Sequence, residues 1–145
     1  MEPVDYVDTF IAVADDSTAT KGTVPPDAAG NPSVAARTFQ RVAEHPYRHT
    51  SGDVIFAVFA DRRGVPEPER AAARDEFYSR SQACLRASDL GKRYGWGIHA
   101  DADGRIALVG VETSEYAEFV SGQRRSASGT PVKLTKAMRS SRAPR

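Results

Sequence analysis

One stretch of the chain concentrates the residue types that do chemistry. Residues 84–99, CLRASDLGKRYGWGIH, hold the only cysteine, the only tryptophan, one of three histidines, three cations and three glycines. Cys84 becomes a nucleophile only if a histidine, a cation or a helix N-terminus lowers its thiol pKa. Arg86 lies two residues away, whereas His45, His49 and His99 reach it only through the fold. The ordinary alternative is a small buried hydrophobe, the usual role of a free cysteine.

Arg86, Lys92 and Arg93 flank a short segment that Ser88 can cap as a helix, and cations beside free helical N–H groups suit a phosphate or carboxylate. Asp89 in the first turn competes for the same donors, and the three cations serve equally as surface charges paired with the acidic N-terminal segment. Tyr94 and Trp96, two apart, share a face if the segment is extended, with Gly97 and His99 opposite. A planar ligand could stack there with help from Arg93; otherwise Trp96 and Ile98 are core. Cys84, Tyr94 and His99 are thus the only weak candidates for catalysis, and Arg86, Ser88, Lys92, Arg93, Tyr94 and Trp96 those for ligand binding. No second histidine stands at ligand spacing from His99, so no metal is assigned, and no cofactor signature is found. Neither GxxxxGK[ST] nor GxGxxG occurs, nor GxSxG, HExxH or an EF-hand. Asp101 and Asp103 have the character of turn residues. Asp15 and Asp16, with Thr18, Thr20 and Lys21, could close over a site from a neighbouring loop.

These residues need a scaffold. A chain of 145 residues fits one domain with a core of its own. One cysteine excludes an internal disulfide, and no cysteine–histidine cluster offers a zinc site. The start, MEPVDYVDTF, has no signal-peptide character, and VIFAVFA at 54–60 is far shorter than the ~20 residues of a membrane helix. A soluble, cytoplasmic protein without membrane contact is expected. The net charge of +1 hides a gradient: −5 over residues 1–32, −1 over 33–118 and +7 over 119–145. The basic end either meets nucleic acid or an acidic partner, or is drawn to the chain's own acidic start.

Residues 4–14, VDYVDTFIAVA, have the β-branched and aromatic character of a strand covered on both sides. The glycine- and proline-rich segment 15–32 is a long loop, a candidate lid. A helix capped by Ser33 runs to about Glu44 before Pro46. DVIFAVFADRR, continuously apolar, reads as a buried strand. VPEPERAAARDEFYSR reads as a helix, followed by the short helix from Ser88 to Tyr94. Trp96–Ala100 and RIALVGVE form a hairpin around DADG, with Gly104 in the left-handed position. A helix capped by Thr113 or Ser114, a flexible loop at 122–131, a last strand VKLTKAM and a disordered tail at 139–145 complete the chain. The expected class is α+β: a mixed or mostly antiparallel sheet of about five strands packed by helices.

The blocks TFIAVADD, TSGDVIFAVFADRRG, CLRASDLGKRYGWGIHADADGRIALVGVE and KAMRS resemble, in the same order and over nearly the whole chain, an uncharacterised bacterial family that carries only a domain-of-unknown-function label. In that family's pattern prolines commonly stand at the positions of Ala83 and Asp89, and a cysteine near Ser17. The resemblance implies one compact domain and carries over no activity. Two functions follow from the residues themselves. One is a small-molecule protein or small enzyme that takes an anionic or aromatic ligand in a pocket around 84–99. The other is a protein that binds nucleic acid or an acidic partner through 119–145.

Overall fold

The computed structural model describes residues 1–27 and 31–141. Among them the chain runs β1 (Thr9–Ala12), α1 (Val34–Glu44), α2 (Ser51–Arg63), α3 (Arg70–Tyr78), α4 (Asp89–Lys92), β2 (Trp96–Ala100), β3 (Ile106–Gly110), α5 (Ser114–Ser121) and β4 (Lys133–Lys136). Single 3-10 turns precede α3 and α4, at Glu67–Glu69 and Leu85–Ala87. The class is α+β, with a mixed sheet in the order β3-β2-β1-β4. β1 pairs antiparallel with β2 (Phe10 opposite His99) and parallel with β4 (Phe10 opposite Leu134). The sheet has four strands rather than five.

The missing strand is α2. DVIFAVFADRR has no apolar stripe because α2 is covered on two sides, and a helix apolar all round resembles a buried strand in sequence. Its ends decide the matter. Thr50 Oγ1 accepts from the Asp53 N–H (3.1 Å) while Asp53 Oδ2 accepts from the Thr50 N–H (3.0 Å), a capping box. Gly64 closes the helix at φ +65°. Val54 and Val58 of α2 join Val42 of α1 and Leu85 against Ile11, Ile98, Ala100 and Ile106 on one face of the sheet. Phe59 turns the other way, with its ring 4.5 Å from that of Phe77 in α3.

The second face of the sheet belongs to α5. The Phe119 ring stacks on Phe10 at 4.5 Å, and Tyr116 meets Phe10 edge-on at 5.3 Å. Gly97 lies under the Phe10 ring, where any Cβ would collide. The hairpin forms as its sequence indicates: the Gly104 N–H donates to the Asp101 carbonyl at 3.0 Å, and Gly104 sits at φ +78°. The segment before α2 covers the outer edge of β3, where Tyr47 N–H donates to the Ile106 carbonyl (2.8 Å) and Ile106 N–H to the His49 carbonyl (2.9 Å).

The loop read as a lid is fastened down over its described part. Thr23 N–H donates to the Tyr94 carbonyl at 2.8 Å, Gly22 N–H to Glu112 at 3.0 Å, and Pro25 is buried; residues 28–30 lie outside the described residues. At the other end, 122–131 closes on itself, with Ser126 N–H donating to the Thr130 carbonyl at 2.8 Å. Lys136 pairs with Asp15 at 2.7 Å, and Asp16 accepts from the Ser140 and Ser141 amides. Among the described residues one cation of the basic end, Lys136, thus pairs with the acidic start. Of the segment read as a disordered tail, 142–145 lie outside them.

Candidate functional site

The fold divides the stretch 84–99 rather than gathering it. Cys84 precedes the 3-10 turn, and its Sγ lies 3.3 Å from the Tyr6 hydroxyl. Burial, reinforced by the hydrogen bond to Cys84, pushes the Tyr6 phenol up to about 12. The thiol borders a small apolar crevice of about 160 Å³ with Val34, Ile55 and Val58. Arg86 is used as a brace: its Nε donates to the Lys136 carbonyl at 2.7 Å, and its own carbonyl accepts from Met138 at 2.8 Å. Ser88 caps α4 by accepting from the Leu90 N–H at 3.2 Å, and a helix of four residues leaves little dipole for an anion. Lys92 is half-buried and Arg93 exposed.

Tyr94 and Trp96 do not share a strand face. Gly95 takes φ +76° against the Lys21 carbonyl, so the strand begins only at Trp96. Trp96 turns toward the α1 side, 5.5 Å from Phe39, and its Nε1 donates to the Thr23 carbonyl at 2.9 Å. Its polar edge is satisfied by the loop, which makes it a fastening for that loop.

His99 points to the opposite face. Its ring sits 4.5 Å from Phe119, and Nδ1 meets the Tyr47 hydroxyl at 2.8 Å. Burial holds the imidazole below its ordinary value, against the pull of Asp101. Tyr47 itself stands in the left-handed region at φ +58°. Cys84 and His99 are therefore on different sides of the sheet.

A different part of the chain does converge. Arg41 ends α1, Arg70 and Arg74 lie one turn apart on α3, and His49 precedes α2; together with Asp53 and Ala57 they line a cleft of about 350 Å³. Asp61 of α2 receives Arg41 Nη2 at 2.6 Å and Arg70 Nη2 at 3.0 Å. Asp53 receives Arg74 Nη1 at 2.9 Å, and the same arginine reaches Glu2 through Nε at 3.2 Å. The two aspartates are eight residues apart on α2, about 12 Å along its axis, so the two ion-paired knots frame the cleft lengthwise.

The electrostatics of the cleft follow. Burial opposes ionisation of Asp61, but hydrogen bonds from Arg41 and Arg70 outweigh it and hold the carboxyl below its ordinary value. Asp53 is held low in the same way, against burial, by the Thr50 amide and Arg74. His49 is pushed down by burial and by the neighbouring His45, Arg41 and Arg48, with Asp53 pulling the other way. The imidazole is therefore neutral at pH 7, one nitrogen donating and the other accepting. Each arginine has five N–H groups and uses only part of them on Asp53, Asp61, Glu2 and the Val65 carbonyl.

The model of a family of unknown function, DUF6157, matches residues 1–143. The chain belongs to that family. No curated protein and no solved structure matches it. What a DUF6157 fold of this kind can do must be read from its own side chains.

In this DUF6157 chain the cleft residues Arg41, His49, Asp53, Arg70 and Arg74 carry no motif. Two sequence signals point to them once α2 is taken as a helix. Arg70 and Arg74 at i, i+4 share one face of α3, and Asp53 and Asp61 at i, i+8 share one face of α2. Read as a strand, α2 keeps the two aspartates on one face but spreads them about 26 Å apart, too far to match arginines one helical turn apart.

Proposed function

We propose that the protein binds a small anionic molecule, in the arginine cleft between α2 and α3 rather than around 84–99. The observation that carries this reading is the convergence of Arg41, Arg70 and Arg74 with His49 on one cleft of about 350 Å³, a volume in the range of small-molecule sites. Arginines already anchored by carboxylates are held in place, so a ligand meets oriented donors and little side-chain freedom is lost on binding. His49, held below its ordinary value, can donate to the ligand or take up a proton beside it.

The alternative partner, nucleic acid or an acidic protein at 119–145, gains less from the geometry. Lys136 is already paired with Asp15, and the amides of Ser140 and Ser141 with Asp16.

Calorimetric titration with inorganic phosphate and with succinate tests the reading. Either anion should bind saturably. Arg74→Gln should weaken binding about tenfold, the scale of one charge-assisted contact. Glu67→Gln, at a rim carboxylate that is 89% exposed, should tighten it without touching the fold. Absence of saturable heat with both anions in the wild type and in Glu67→Gln would refute the cleft as an anion site.

A further inference from the structure

We propose a second binding site, beside the end of α2 on a neighbouring flank of α3, for a small acid with an aromatic or other apolar body. A groove of about 400 Å³ runs between the end of α2 and α3, walled by Phe59, Phe77 and Ala73 and edged by Arg63, Arg80 and Glu76. The Phe59 and Phe77 rings lie 4.5 Å apart at 39°, and Phe77 is braced edge-on by buried Phe56 at 5.7 Å. Both rings remain half-buried, so the wall is rigid yet still in contact with water. Removing that water is the favourable step for an apolar body.

The charged edge differs from that of the arginine cleft. Arg63 places its guanidinium 5.0 Å above the Phe59 ring and makes no ion pair among the described residues. Among the described residues Arg80 pairs only with Glu76, at 3.6 Å, with both side chains mostly exposed, an arrangement that contributes little to stability. The donors of both arginines are thus open to a carboxylate at the rim of an apolar wall. Small-molecule sites have this composition: a mainly apolar cleft with a few polar groups that fix orientation. Two cations at the rim disfavour an amine, and a neutral arene gains the wall without the ion pair. The groove and the arginine cleft share no lining residue: α3 gives Ala73 and Phe77 to the groove and Arg70 and Arg74 to the cleft. The two proposals therefore stand or fall separately.

The test is a titration of the full chain with phenylbutyrate, followed by amide chemical shifts. Phenylbutanol and butyrate serve as probes lacking the charge and the ring. Saturable shifts at Phe59, Arg63, Ala73 and Phe77, with phenylbutyrate bound about tenfold or more tightly than either control, support the site. The double variant Arg63→Gln, Arg80→Gln leaves the aromatic wall intact and should reduce phenylbutyrate affinity to that of phenylbutanol. Equal affinity for phenylbutyrate and phenylbutanol, undiminished affinity in the double variant, or shifts confined to the arginine cleft would overturn it.

Discussion

The stretch 84–99 and the arginine cleft make an instructive pair. The first holds the rarest residues of the chain, and the fold takes up most of their chemistry: Ser88 in a cap, Arg86 in a brace, the Trp96 indole N–H in a loop fastening. The second is built from arginines, aspartates and alanines of ordinary helices, yet its donors face a shared space. Rarity of a residue type marks a demanding structural position as readily as a site. What distinguishes a site is polar capacity left over once the fold has been satisfied.

The contrast can be broken at either end. The largest expected effect is on the 84–99 side: Trp96→Ala removes a ring packed on Phe39 and one of the fastenings of Thr23, and should cost about 3 kcal/mol by analogy with other aromatic truncations. Urea denaturation measures that loss, while phosphate affinity in the folded variant should stay within about twofold of wild type. A smaller stability loss is expected at the cleft. Arg74→Gln gives up pairs with Asp53 and Glu2 that are partly solvent-screened, a cost of about 1 kcal/mol, so its main effect is the tenfold loss of anion affinity given above.

Acid should act in two stages. His49 and His99 are held below the ordinary histidine value of 6.5. Their contribution is complete above pH 6.5 and is lost as pH falls from there through their folded values, because the unfolded chain takes up protons that the fold resists. Asp53 and Asp61 lie below the ordinary 3.8, so their contribution is complete above pH 3.8 and is lost as pH falls through their lower folded values. Thermal unfolding followed across the acid range should show both declines. A decline confined to the region below pH 3.8 would contradict the neutral, half-buried state of the two histidines. Bound phosphate should also raise the pKa of His49 and leave that of His99 in place, which imidazole proton shifts report directly.

The smallest effect is expected from Lys92→Gln and Arg93→Gln. Each should change stability by no more than about 0.5 kcal/mol, the scale of ordinary surface substitutions, and neither should alter phosphate binding. A marked loss of affinity in either would return the site to the stretch 84–99.

Legibility in the sequence follows the range of the interactions. Caps and tight turns are local, so Ser33 and Ser88 as N-caps and Gly104 in the hairpin are read correctly from the residues, and of Thr113 and Ser114, both open as the cap of α5, Thr113 takes the place. α2 is misread because its burial comes from two partners far apart in sequence, the sheet on one side and Phe77 of α3 on the other. That double cover removes the amphipathic period that would have marked a helix. The cleft was hidden for the same reason: Arg41, Asp61, Arg70 and Arg74 are unremarkable surface charges until α2 and α3 lie side by side. In 84–99 the alternation of β2 sets Trp96 and His99 on opposite faces, as their spacing indicates, but the turn at Gly95 takes Tyr94 off the strand and away from Trp96.

The most direct test is a map of amide and imidazole shifts during a phosphate titration of the wild-type protein. We expect saturable changes at His49, Asp53, Ala57, Arg70 and Arg74, with residues 84–99 unmoved. Saturable changes at Arg86, Lys92, Arg93 and Tyr94, with the arginine cleft silent, would contradict the central claim.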